Sequence, residues 1–220
     1  MKLKTLPLAA FILIQIHCMA QSNVSSEKKE EFLERALEKA KAVHTESDIQ
    51  NSINEIKRIE SMDSNYWLPS YYVSYMETSM SFFTDPDKKE AILTDAKERI
   101  EKLLDNPTSD KSELYTLLGY YYYAKISQNP QKNGQIYYKD VISNYQKAIT
   151  INPANPRPQY LLNLFEDRMN GFMGKKDNDL CSKLQKNKEL FTSFKPAGKN
   201  YPTWGEKELF SKIKDSCKQD

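Results

Sequence analysis

Residues 144–163, NYQKAITINPANPRPQYLLN, decide how this chain is read. Tyr145, Ala148 and Ile149 recur at helical spacing, Asn152-Pro153 cannot continue that helix, and Asn155 with the prolines after it introduces another. A proline costs nothing in the first turn of a helix, where its missing N–H has no partner anyway. The stretch is therefore a helix end, a short turn and a second amphipathic helix. It announces a repeat of helix pairs.

Working outward, the same rhythm continues in both directions. Upstream, Phe32, Leu33, Ala36 and Leu37 mark a first helix opening at Ser26, and a Thr45 to Asp48 capping box opens a second with Ile49, Ile53, Ile56 and Ile59 on one stripe. A third helix, expected over 66–83, is unusually aromatic, and Asp85-Pro86 starts a fourth that closes at Asn106-Pro107. Asp110 to Glu113 reads as another capping box, opening a fifth helix that runs to Ile126. A polar loop is expected over 128–134, around Pro130, before a sixth helix over 136–151. The seventh is expected over 158–172 and the eighth over 179–194, and a proline- and glycine-punctuated loop around Tyr201 and Trp204 leads to a last helix over 206–217. The fold class is all-α.

The first twenty residues read as an export signal: Lys2 and Lys4, an apolar run, then Cys18-Met19-Ala20 before Gln21. The apolar core, about eleven residues, falls well short of the roughly 20 that span a bilayer. Lipid attachment at Cys18 is less favoured, because His17 stands where a lipoprotein signal wants a small residue. Expected regions are thus 1–20 signal, 21–30 flexible leader, 31–194 helical repeat, and 195–220 loop with a C-terminal capping helix. The chain has 32 Lys and Arg against 30 Asp and Glu. Removing the signal takes two lysines and no acid, so the mature charge is near zero. Without a basic field, nucleic acid is excluded as a partner. The expected location is the periplasm or the exterior, where Cys181 and Cys217 either form a disulfide or remain free.

Asp63-Ser64-Asn65 and Pro153-Ala154-Asn155 occupy equivalent breaks ninety residues apart, with the break at 106–110 between them, so the period is near forty-five. That length suits several α-hairpin arrays. Detail narrows it: Tyr145, Ala148 and Pro153, and Tyr115, Leu118, Gly119 and Tyr122, resemble the signature positions of tetratricopeptide repeats. The resemblance is specific over about residues 112–163 and rests elsewhere on rhythm. It implies a right-handed stack of antiparallel hairpins, an α-solenoid whose first helices line a concave groove, and a non-enzymatic scaffold or adaptor binding a protein or peptide. The Ala20-Gln21 junction similarly resembles export signals of Bacteroidetes bacteria.

Chemistry-bearing constellations are sparse. The mature chain's histidine, His44, sits on an ordinary helix face, and six scattered glycines provide no phosphate loop. Asp177-Asn178-Asp179 lacks the rest of a calcium loop. No catalytic residue, cofactor or metal is therefore expected. Most tyrosines are expected in the core, since consecutive helix positions point around the axis. Those left for a groove are Tyr71, Tyr75, Tyr120 and Tyr123, with Trp204, expected to pack beneath the last helix, as an alternative anchor. The competing functional reading is a glycan or small-ligand module built on that aromatic patch. Tyrosines converging on an open concavity favour a ligand; buried ones favour a partner chain.

Overall fold

A computed structural model describes residues 25–42, 45–175 and 179–217. The export signal with Cys18, the start of the leader and His44 lie outside these residues. Among the described residues there are nine helices and no strand: α1 Ser26–Ala40, α2 Glu46–Glu60, α3 Trp67–Met80, α4 Pro86–Asp105, α5 Lys111–Gln128, α6 Pro130–Ile151, α7 Pro156–Phe172, α8 Leu180–Ser193 and α9 Glu206–Ser216.

Local chemistry sets the starts. Side chains of Ser25, Thr45, Asp85, Asp110, Asn129 and Asn155 each accept a hydrogen bond from a backbone N–H in the first turn they precede. Each satisfies an orphan donor, typically worth about 1 kcal/mol. Pro69 falls in the first turn of α3, where it removes no helical bond. Two expectations are corrected here. Residues 26–30 of the anticipated leader belong to α1. The loop anticipated over 128–134 does not exist: Asn129 alone separates α5 from α6, and Pro130 takes the first position of α6. The extra residues lengthen helices rather than a loop.

Every helix packs on its neighbour in sequence, and α3 also packs on α5 and α5 on α7. These three form an inner row. The α5–α6 hairpin is held by close approach: a Cβ on Gly119 would lie 2.5 Å from Cε1 of Tyr145, whose own side chain is buried. The core runs along the molecule in patches. Leu33, Ile53, Ile56, Tyr71, Ile100 and Leu117 belong to the largest, Val141, Tyr145 and Phe165 to a second, and Leu184, Phe191 and Leu209 to a third. Each fully buried aliphatic side chain contributes roughly 1.5–3 kcal/mol.

Candidate functional site

The tail after α8 does more than cap the last hairpin. From Phe194 it runs back across the inner row to the first helix, where Asn200, in the left-handed conformation at φ 59°, donates through Nδ2 to the Glu30 carbonyl at 2.7 Å. The Tyr72 hydroxyl of α3 donates to the Asn200 carbonyl at 2.9 Å, and the Tyr201 hydroxyl donates to Asp110 at the start of α5. Gly205, at φ 100°, then turns the chain into α9 beside the Phe191 ring. Only glycine accepts that φ without strain. A disulfide between Cys181 and Cys217, with Cα atoms 5.2 Å apart, fastens the end of α9 to α8.

Beneath the tail lies a closed polar junction. Glu113 and Arg157 are fully buried and face each other, with Arg157 Nε 3.1 Å from both carboxylate oxygens. Asn155 Nδ2 donates to Glu113 Oε1 and the Tyr71 hydroxyl donates to Oε2, both at 2.8 Å. Trp204 Nε1 in turn donates to the Tyr71 oxygen at 2.8 Å. Burial opposes the charged guanidinium, but the Glu113 carboxylate beside it outweighs that and moves the Arg157 pKa upward. Phe194 and Trp204 lie 4.8 and 5.7 Å from the guanidinium carbon, supplying ring faces to the cation. The capping box anticipated at Asp110 to Glu113 is therefore half used. Asp110 accepts from the Glu113 N–H, while the Glu113 side chain turns inward to Arg157.

Tyr71 was expected on the groove surface and is instead fully buried in this junction, its ring edge-on to Trp67 and Tyr72. It has no face for a ligand. Trp204 is half-buried rather than an exposed tip. Its indole stacks on Tyr75 of α3, centroids 4.6 Å apart and planes 21° apart. From there Tyr75 stacks on Tyr120 at 6.3 Å, Tyr120 meets Phe82 at 5.4 Å, and Phe82 meets Tyr123 at 5.5 Å. Four of the five candidate rings thus fall in one line, all half-buried. Phe82 joins them unforeseen, from the turn that follows α3.

This ladder joins two clefts. At its Trp204 end lies one of about 760 Å³, walled by Tyr72, Tyr75, Met76, Leu37 and Trp204 and rimmed by charged residues of α1 and α9. At its Tyr123 end a second, of about 300 Å³, is walled by Leu161, Leu164 and Phe165, with Arg168 and Lys212 at its edge. Both volumes fall within the roughly 300–1,000 Å³ usual for small-ligand sites. A third cleft, about 670 Å³ between α2 and α4, is lined by charged and hydroxyl side chains and no ring. Burial pushes the Tyr75 and Tyr120 hydroxyls up, helped by the charge of Glu208, and burial pushes Tyr123 up against the opposing charge of Arg168. The ladder therefore presents neutral phenols at ordinary pH. Among the described residues no group of three or more metal-ligating side chains gathers, and no helix is long and apolar enough to cross a membrane. What remains is a line of neutral aromatic rings, successive planes 21 to 43° apart, running between the two clefts.

No family model matches the sequence, and no curated protein matches it. Among solved structures, the chain is similar to the HusA haemophore from Porphyromonas gingivalis, at a TM-score of 0.74 over 92% of this chain and 98% of that one, with 19% identity. The likeness is one of fold.

Proposed function

We propose that this chain is an exported binding protein that holds, without transforming, a flat and largely apolar ligand of the porphyrin class against its aromatic ladder. The observation that carries the reading is the line Trp204–Tyr75–Tyr120–Phe82–Tyr123, which joins two clefts across the inner row of helices. The fold shared with a haemophore supports the ligand class, and the bridged cysteines suit an oxidising compartment outside the cytosol.

Stacking, rather than iron ligation, carries the binding in this reading. The ladder's phenols are held protonated by burial, and a neutral phenol is a weak iron ligand. Metal-free protoporphyrin is thus expected to bind about as well as haem.

The helix pairs are also read as a right-handed, tetratricopeptide-like stack. Support comes from the α3–α5 and α5–α7 contacts and the Gly119–Tyr145 approach. In such a stack the groove commonly takes a peptide. Here Asn200, Tyr201 and Trp204 of the chain's own tail occupy positions on α1, α5 and α3 that a through-running peptide would need. This favours a ligand over a partner chain.

The test is a titration of the mature protein with haem and with metal-free protoporphyrin, followed by Soret absorbance and tryptophan quenching. Saturable binding of both is expected. Tyr75→Ser and Tyr120→Ser should each weaken it by about tenfold, the scale of one lost ring contact. Absence of both a Soret change and quenching with either porphyrin would overturn the reading.

A further inference from the structure

The two ends of the ladder differ in charge. Around the larger cleft stand Glu34, Glu38, Glu206 and Glu208, and the nearby Lys41 is already paired with Glu38 at 2.6 Å. Lys199 of the adjoining tail is likewise paired, with Glu34 at 3.0 Å. Around the smaller cleft stand Arg168 of α7 and Lys212 of α9, with Asp167 as the one acid in its lining. Neither Arg168 nor Lys212 forms an ion pair among the described residues. Arg168 lies 5.8 Å from the Tyr123 ring, the last of the ladder, so its charge is held at the edge of the aromatic floor.

We infer that Arg168 and Lys212 anchor the carboxylate edge of the bound porphyrin, fixing which way round it lies. The inference rests on the porphyrin reading above and adds the orientation and the selective groups. A macrocycle stacked along the ladder presents its apolar body to Tyr75, Tyr120 and Phe82. Its carboxylates are repelled by the acid-rich end and attracted to the two cations. Apolar walls on Leu161, Leu164 and Phe165 exclude part of the surrounding water, which strengthens a charge-assisted hydrogen bond there relative to one on an open surface. Such charge placement determines register and selectivity more than gross affinity. Because Lys212 comes from α9, the tail helps to form the site as well as to shape its floor.

The experiment compares protoporphyrin with its uncharged dimethyl ester in one detergent buffer, using the unaltered protein, Arg168→Glu, Lys212→Glu, and Lys102→Glu at the ringless cleft between α2 and α4 as control. Each of the first two variants should weaken the dicarboxylate by about tenfold, the effect of losing a half-exposed ion pair and gaining a repulsion. The ester's affinity should not change, and Lys102→Glu should leave both ligands as they were. Equal losses for acid and ester would reduce the two side chains to packing and overturn the anchor. So would unchanged affinities in both variants, or a loss confined to Lys102→Glu. Failure of the unaltered protein to bind either form overturns the porphyrin reading itself, a result separable from all of these.

Discussion

α4 and α5 are adjacent, of similar length, and built on opposite plans. α4 keeps one buried stripe, Leu93, Ala96, Ile100 and Leu103, and gives the rest of its surface to charged residues. α5 is buried on nearly every side: Glu113, Leu114, Leu117, Leu118, Gly119 and Tyr121 point in different directions and all are covered. A helix that needs only one neighbour reads as amphipathic. A helix in the inner row has α4, α6, its row partners α3 and α7, and the tail to satisfy, so it carries no single apolar face. The surplus of aromatic residues on α3 and α5 is thus the sequence trace of a second interface, the one along which the ladder lies.

The sharpest way to break the contrast is at the polar junction. Arg157→Ala leaves the Glu113 carboxylate buried without its cation and should cost about 3–5 kcal/mol in urea denaturation. An exposed change on α4, such as Lys88→Ala, should lie within about 0.5 kcal/mol. A comparable loss in both would show that α5 is no more deeply committed than α4. Next in size is Gly119→Ala. The added methyl meets the buried Tyr145 ring, and a cost of about 1–3 kcal/mol is expected from overpacking. Stabilisation instead, as Gly to Ala on an open helix face gives, would mean that the α5–α6 approach relaxes freely.

The smallest effect belongs to α4. Lys97, half-buried, and Glu101, exposed, lie four residues apart with 3.0 Å between Nζ and Oε1. Glu101→Ala should cost no more than about 0.2–0.5 kcal/mol. Its hydrogen bond to Glu101 raises the Lys97 pKa above 10.5. This contribution is therefore fully present below pH 10.5 and lost as pH rises through the higher folded value. Denaturation of both proteins at pH 9 and above pH 11 checks it: the difference should vanish at the alkaline end.

What was legible in the sequence follows the same contrast. Helices with one apolar stripe, α1, α2 and α4, announce themselves by period and cap, and the Gly119–Tyr145 approach was foreshadowed by the spacing of the hairpin. The roles of Tyr71 and Glu113 were not legible. Glu113 has the spacing of a capping residue, and nothing local reveals that its partner is Arg157, 44 positions on. Tyr71 looks like any surface-capable aromatic until that pair and Trp204 converge on its hydroxyl. Asn129-Pro130 reads equally as loop or as cap and first residue, and the helix took the second. The cysteine pair was visible as a choice between bridge and free thiols, since the 5.2 Å spacing of their Cα atoms is a property of the folded chain. Tyr75, Tyr120, Tyr123 and Trp204 were named together from the sequence, and their order along the line arises from helix packing that no residue pattern encodes.

The hydrogen bond from Asn200 to Glu30 joins positions 170 apart in sequence. In kinetic terms it closes a very long loop. Contacts of such separation form late, after the local hairpins, because the chain entropy of bringing distant segments together must be overcome first. During synthesis the residues around Glu30 emerge well before those around Asn200. Until the tail docks, Tyr75 lacks its Trp204 stacking partner and the smaller cleft lacks Lys212, so the ladder and that cleft depend on the tail. Cys181 and Cys217 are only 36 positions apart, so their bridge closes a much shorter loop than the contact of Asn200 with Glu30 and can form before the tail has docked on α1.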